Sequence, residues 1–345
     1  MRQSIKISLL LALSLSCNIL LAQSCTKTDF DLNISDKMRQ RAIDFKNTIQ
    51  TQQGLRSSTY IYSSRTIKKY IDKPEELVAK LTLLGFTDVY ISFDKPGTSL
   101  YIDLGWYKVF NKIAHKSNIK IHALSLSNLK LYVSDQVVKT DVDWVKSYNN
   151  SVSPAERFDG ISADLEPHIL KANYPNRPEG VTLAWDSENS YGIGKDNDLL
   201  LKRSVEVMSL AKKEMGSLTL NEALGFFFQP RFDTGLLEWG GAQQFLKYCD
   251  QVVVMAYNYR ANRVVEMATP ILIAASDYPK SVSIAVKTSL NTLGDDGPLT
   301  SFQPQGWDNL ITSLAHIVSE GKKYNTFRGM DFFEFAGFEI MWESE

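Results

Sequence analysis

The sequence predicts an α/β protein: a single (β/α)₈ TIM barrel with an N-terminal helical extension. Three observations carry that expectation. Beyond residue 56, short apolar strands alternate with helical stretches to the end of the chain. The length, 345 residues, suits one large barrel. No internal repeat, linker or break in composition marks a second domain. The expected divisions are 1–24 for a signal peptide, 25–55 for an extension carrying a helix, and 56–345 for the barrel.

The first residues have the pattern of a targeting segment. Arg2 and Lys6 make a basic start, Ile7 to Leu15 is apolar, and Ile19 to Ala22 leads into small and polar residues. The apolar run is short for a membrane span, so the mature protein is expected to be exported: periplasmic, extracellular or held at the cell surface. Cys25 follows Ala22-Gln23-Ser24, which leaves a lipid anchor open, although Gln23 and the small Ala22 make a poor lipobox. With Cys17 leaving with the signal, Cys25 and Cys249 allow one disulfide or none.

The elements follow in order. Ser35-Asp36 caps a helix reaching about Gln53, with Met38, Ala42, Phe45 and Ile49 at helical spacing. Thr59 to Tyr62 is the first strand. Pro74 opens a helix that stops at Gly85, following the preference for proline inside the start and glycine past the end. Asp88 to Phe93 and Ile119 to Leu126 are the next strands, with a helix from Gly105 to Ser117 between them. Val142 to Tyr148 lies in the third helix. A long segment from His168 to about Asp196 follows the fourth strand and is expected to wall a cleft with Trp185. A helix from Asp198 to Glu214 leads to strands within Leu218 to Phe228, Tyr248 to Tyr257 and Val282 to Val286. Helices are expected at Ala261 to Ser276 and Trp307 to Glu320, and the eighth strand at Gly337 to Trp342.

The fourth strand holds the chemistry. In Phe158-Asp159-Gly160-Ile161-Ser162-Ala163-Asp164-Leu165-Glu166-Pro167, period-two alternation puts Ile161, Ala163 and Leu165 on one face and Ser162, Asp164 and Glu166 on the other. Pro167 cannot donate to a ladder and ends the strand. Two acids then stand at the C-terminal end, where barrel enzymes keep their reactive groups. Neighbouring carboxylates push their proton affinities apart, so one can stay ionised while the other holds a proton at neutral pH. The same residues also suit an exposed strand end with two solvated acids.

This stretch resembles the signature of family-18 glycoside hydrolases (chitinases and endo-β-N-acetylglucosaminidases), an apolar residue followed by D-G-x-D-x-D-x-E, with Ser162 in place of the middle Asp. Val252-Val253-Val254-Met255-Ala256-Tyr257-Asn258-Tyr259 is similar to the M-x-Y-D segment of strand six, with Asn258 in place of Asp. Phe338-Glu339-Ile340-Met341-Trp342 is similar to the last strand, which ends in a Trp at the floor of the sugar site. The resemblance implies substrate-assisted retaining hydrolysis of N-acetylglucosamine-containing glycans, a scheme outside the usual two-carboxylate pattern. Glu166 would be the general acid/base, Asp164 would hold the acetamide and Tyr257 would fix its oxygen. Trp342, Asn258, Met255 and Trp185 would bind substrate. Leu165-Glu166-Pro167 is also similar to the N-E-P of the larger retaining-glycosidase clan. That clan needs a nucleophilic Glu at the end of strand seven, where this chain has Lys287, and an Asn where it has Leu165. A glycosidase of the same barrel with another substrate, and a catalytically silent glycan-binding protein, stay open as alternatives.

Composition narrows the partners. The net charge of −1 gives no electrostatic case for nucleic acid or an acidic membrane. Cysteine and histidine never fall at zinc spacing, so neither metal nor cofactor is expected. Asp164, Glu166 and His168 sit at alternate positions, but His168 lies past a proline, where strand periodicity no longer places it beside the acids. The expected partner is a carbohydrate, bound by a monomer.

Overall fold

The computed structural model describes residues 32–50, 54–173, 177–186, 194–290 and 297–344. The targeting segment and Cys25 lie outside these residues, as do Pro175, Tyr191, Gly192 and Gly294 of the two long connections.

Eight parallel strands close into a barrel in sequence order. They are β1 Arg56–Ile61, β2 Asp88–Ser92, β3 Lys120–Leu124, β4 Gly160–Ala163, β5 Thr219–Gly225, β6 Gln251–Met255, β7 Val282–Lys287 and β8 Phe327–Phe333. The main helices are α1 Asp36–Gln50, α2 Pro74–Leu83, α3 Leu104–Lys116, α4 Asp135–Ser151, α5 Lys195–Met215, α6 Phe228–Asp233, α7 Ala242–Leu246, α8 Ala261–Ala274, α9 Gly306–Gly321 and α10 Phe335–Glu343. Local rules account for their ends. Pro74 occupies the first turn of α2, and Gly85 takes φ +76° just past its end. The Asp103 carboxylate accepts from Gly105 N at 2.7 Å and caps α3.

Alternation along the strands sorts side chains into two layers. Val89, Ile91, Ile121, Ala123, Ile161, Ala163, Val252, Val254, Ile284 and Val286 face the helices and form the apolar core. The interior is polar and hydrogen-bonded. Gln251 on β6 donates to Tyr90 of β2 at 3.2 Å and to Ser283 of β7 at 2.6 Å. Since β2 and β6 are not neighbours, the first of these bonds crosses the barrel. Below it, Asp88 joins His122 at 3.1 Å and Arg56 at 2.8 Å. Burial alone would raise the Asp88 carboxyl, but the His122 hydrogen bond and the Arg56 guanidinium outweigh it and hold it well below the carboxylate range.

The eighth strand departs from expectation. It is Phe327–Phe333, and the stretch around Gly337 to Trp342 belongs to α10. Phe335, Phe338, Met341 and Trp342 are buried at helical spacing, whereas Ile340 is 43% exposed. Phe338 enters an aromatic cluster with Phe45, Phe86, Trp307 and Phe332, at centroid distances of 5.2, 5.6, 5.7 and 5.5 Å. Through Phe45, α1 belongs to the same outer layer and packs on α9 and α2.

The helical phase of α10 has a measurable consequence. Phe338→Ala should cost roughly 3–5 kcal/mol in denaturant unfolding, the usual loss for a buried phenylalanine, while Ile340→Ala should change little. A strand would place both residues on one face and penalise both substitutions alike.

Candidate active site

Side chains from the C-terminal strand ends converge on a cavity of about 410 Å³. Tyr62 follows β1, Asp164 and Glu166 follow β4, and Met255 and Tyr257 lie at the end of β6. Lys287 ends β7 and Phe333 ends β8. Phe226 and Phe227, just after β5, add an apolar wall, and His168 closes the side next to Glu166. The phase expected for β4 holds: Ile161, Ala163 and Leu165 lie in the apolar outer layer, and the two acids face the cavity. The ladder of β4 stops at Ala163. Leu165 N, between the acids, donates instead to Glu222 Oε1 at 3.3 Å.

Burial dominates the electrostatics. Asp164 is half-buried, its enclosed Oδ1 has no hydrogen-bond partner, and loss of hydration pushes its carboxyl up to about 6. Burial, and after it the field of Asp164, pushes the phenols of Tyr62 and Tyr257 well above their ordinary range. Both therefore remain neutral O–H donors. Burial and then Asp164 also raise Glu222 far above the usual carboxyl range. His168 Nε2 lies 3.6 Å from Glu166 Oε1. Burial, then the charges of Lys171 and Arg231, push its imidazole down to about 4. The result is a pocket with an acid beside neutral donors, an arrangement suited to proton transfer onto an oxygen and to holding a polar substituent.

The barrel is similar to that of a family-18 chitinase. That structure, a chitinase from Pseudoalteromonas aurantia, shares 11% identity and a TM-score of 0.50, covering 84% of this chain and all (100%) of its own. The spore cortex-lytic enzyme SleL of Bacillus cereus aligns at 8% identity and TM-score 0.49, over 91% of this chain and 85% of its own. A β-mannanase from the blue mussel Mytilus edulis aligns at 10% identity and TM-score 0.48, over 84% and 90%. No protein-family model and no curated protein matches the sequence. At these identities the likeness speaks for the fold.

Not every expected site residue joins the pocket. Glu166, Asp164, Tyr257 and Met255 do. Trp342 does not: it lies on α10 in the outer layer, 6.1 Å from Trp307 between ring centroids, with the Lys80 ammonium 5.9 Å from its ring. The aromatic ring expected from the eighth strand is Phe333, packed against Tyr60, Tyr62 and Tyr257 at 5.6, 5.8 and 5.7 Å. Asn258 turns away, its Oδ1 accepting from Arg260 N at 2.9 Å, and it lines a neighbouring groove with Tyr259 and Arg260. Trp185 is buried behind the pocket against Phe228 and His168, with ring centroids 5.7 and 6.4 Å away. His168, which strand periodicity alone does not place, stands next to Glu166. Among the described residues no group of three or more His, Cys, Asp or Glu is placed to hold a metal ion. Tyr62, Phe333, Lys287 and His168 are site residues that sequence reasoning did not select. Tyr62 was within reach of it, since it shares the phase of Ser58 and Tyr60.

The raised Asp164 carboxyl makes the site costly to fold at neutral pH. An acid whose folded value of about 6 exceeds its unfolded value of 3.8 loses stability as pH rises through that interval. Asp164→Asn should therefore raise the melting temperature at pH 7.5, by a free energy on the order of 2–3 kcal/mol. The gain should shrink below pH 6 and vanish near pH 4, where both side chains are uncharged. Thermal melts across that range measure it.

Proposed function

We propose that the protein is an exported glycoside hydrolase that cleaves N-acetylglucosamine-containing glycans by substrate-assisted retaining hydrolysis. The observation that carries the reading is the meeting of Asp164, Glu166 and Tyr257 in one cavity whose seventh-strand corner holds Lys287 in place of a carboxylate. A protein nucleophile is thus missing where the two-carboxylate scheme requires one. Glu339 lies on α10, where it accepts from the Tyr70 hydroxyl. Glu222 is wholly buried and holds the Leu165 amide.

In this scheme Glu166 gives its proton to the glycosidic oxygen as the C–O bond breaks, and the bonding pair leaves with the aglycone. The substrate's acetamide oxygen donates a lone pair to the anomeric carbon. Asp164 accepts from the acetamide N–H and stabilises the positive charge of the ring so formed. The Tyr257 hydroxyl orients the acetamide oxygen. Water then attacks the anomeric carbon and returns a proton to Glu166. Phe333, Phe226 and Phe227 offer ring faces to the C–H faces of the sugar, and their low polarity strengthens each charge interaction within the pocket. Residues 1–24 serve as the export signal, and the chain works as a monomer.

Glu166→Gln should lower turnover by roughly 10²–10⁴-fold while sugar binding survives, because the amide fills the same space without an acidic proton. Matched N-acetylglucosaminides and glucosides decide the mechanism. The wild-type protein should turn over the first and fail on the second, since the glucoside lacks the nucleophile. Equal rates on the pair would remove the substrate-assisted scheme. Binding of glycans without turnover of any glycoside would leave a sugar-binding protein.

A further inference from the structure

The residue beside Glu166 has no part in the scheme so far. His168 begins the long connection after β4, inside a short helical turn, Pro167–Ile169. Its ring is enclosed by Trp185, Phe227 and Phe228, with centroids at 6.4, 5.2 and 5.9 Å, all near edge-to-face. The wall is fixed from behind, where Trp185 N donates to Leu170 O at 2.8 Å. One ring nitrogen, Nδ1, is buried with no partner. The other, Nε2, faces Glu166 Oε1 across 3.6 Å.

These surroundings select the tautomer. A buried N–H without an acceptor is rarer and costlier than a bare lone pair, so the proton belongs on Nε2 and Nδ1 carries the lone pair. The imidazole, held down to about 4, stays neutral at ordinary pH. It therefore presents a single N–H to Glu166 and adds no charge. At 3.6 Å that contact is longer than a hydrogen bond. When Glu166 gives up the proton, the carboxylate becomes a stronger acceptor, and catalytic contacts that are loose at rest tighten at this stage.

We propose that His168 is a positioning residue for Glu166: its Nε2–H donates to the carboxylate that forms as the proton leaves, fixing Oε1. This rests on Glu166 being the general acid. The histidine makes Glu166 a readier donor by stabilising its product form. It also orients the same carboxylate to receive the proton back in the second half-reaction.

Other charged groups face this pair and are common to every variant compared below. Asp164, Tyr62, Tyr257 and Lys287 line the same cavity, and Glu222 on β5 interacts electrostatically with Asp164 and Glu166. Lys171 and Arg231 face His168 from the far side.

His168→Phe keeps a flat ring in the aromatic cage and removes the donor. His168→Gln keeps an amide N–H within reach of the Nε2 position. The readout independent of turnover is the titration of the Glu166 side chain, followed by carbon NMR of glutamate-labelled protein and assigned with Glu166→Gln. In the phenylalanine variant the Glu166 midpoint should rise by roughly one to two units, the value of a hydrogen bond to a charged group. The glutamine variant should stay near wild type. Turnover should follow: roughly tenfold or more lost in His168→Phe, the alkaline limb of the pH profile moved upward, and most activity restored in His168→Gln. If the phenylalanine variant does not fold, His168→Met supplies the apolar comparison. An unmoved Glu166 midpoint in the apolar variant, or equal behaviour of the glutamine and apolar variants, overturns the proposal. A wild-type protein that hydrolyses no glycoside defeats the hydrolase reading instead, and the NMR titration still decides the role of His168.

Discussion

A carboxyl group taken out of water holds its proton more tightly, because its ionised form loses hydration that the protein does not replace. Asp164 is held under that constraint at the mouth of the barrel, and burial is what raises its proton affinity. Its neighbours have properties that depend on the same loss of hydration. Tyr62 and Tyr257 remain hydroxyl donors, and His168 remains uncharged. The closed sheet lies below the pocket, and the phenylalanines after β5 and at the end of β8 line its sides. Such a site is a cost to stability, and the outer layer offsets it. The aromatic cluster of Phe45, Phe86, Trp307, Phe332 and Phe338 lies away from the chemistry and joins α1, α9 and α10 to the sheet.

What could be read from the sequence follows from how a barrel uses its strands. β4 was legible because one face is apolar and the other carries the acids, so alternation reports both the strand and its phase. Met255 and Tyr257 were legible for the same reason. β8 was not. Its inward positions are Gly329, Asp331 and Phe333, and Arg328 stands at the outward position before them, so no clear apolar alternation survives. The stretch that took its place, Phe338 to Trp342, alternates apolar residues with period two yet also fits a helix. Only the exposure of Ile340 separates the two. His168 was hidden by the proline before it. Past Pro167 the chain makes a helical turn, and the turn brings the ring back beside Glu166.

The two departures from the family pattern have physical counterparts. Ser162 places a hydroxyl beneath Asp164 where the pattern has a carboxylate, so the raised affinity of Asp164 owes its origin to desolvation and to no acid on the same strand. Besides Asp88 lower in the barrel, the interior holds the buried Asp331 on β8. The hydroxyls of Ser58, Tyr90 and Ser283 surround it without either oxygen reaching hydrogen-bond geometry, and burial pushes it up to about 6. Its field reaches Tyr60 and Tyr257. Asn258 is taken up by the turn that starts α8, and the groove it lines is separate from the acids.

The eighth strand ties the two layers together. Successive residues on a strand point to opposite faces, so Phe332 and Phe333 serve different parts of the molecule through one piece of backbone. Phe332 packs outward on Phe45, Phe86 and Phe338 at 5.0, 5.9 and 5.5 Å. Phe333 turns inward against three tyrosines and lines the cavity. A slip of one residue would exchange the two faces, moving the ring that lines the pocket into the helix layer and breaking the aromatic cluster at once. The cluster that stabilises the outer layer thus also sets the register of the ring that lines the cavity. The precision of the pocket is inherited from packing on the far side of the strand.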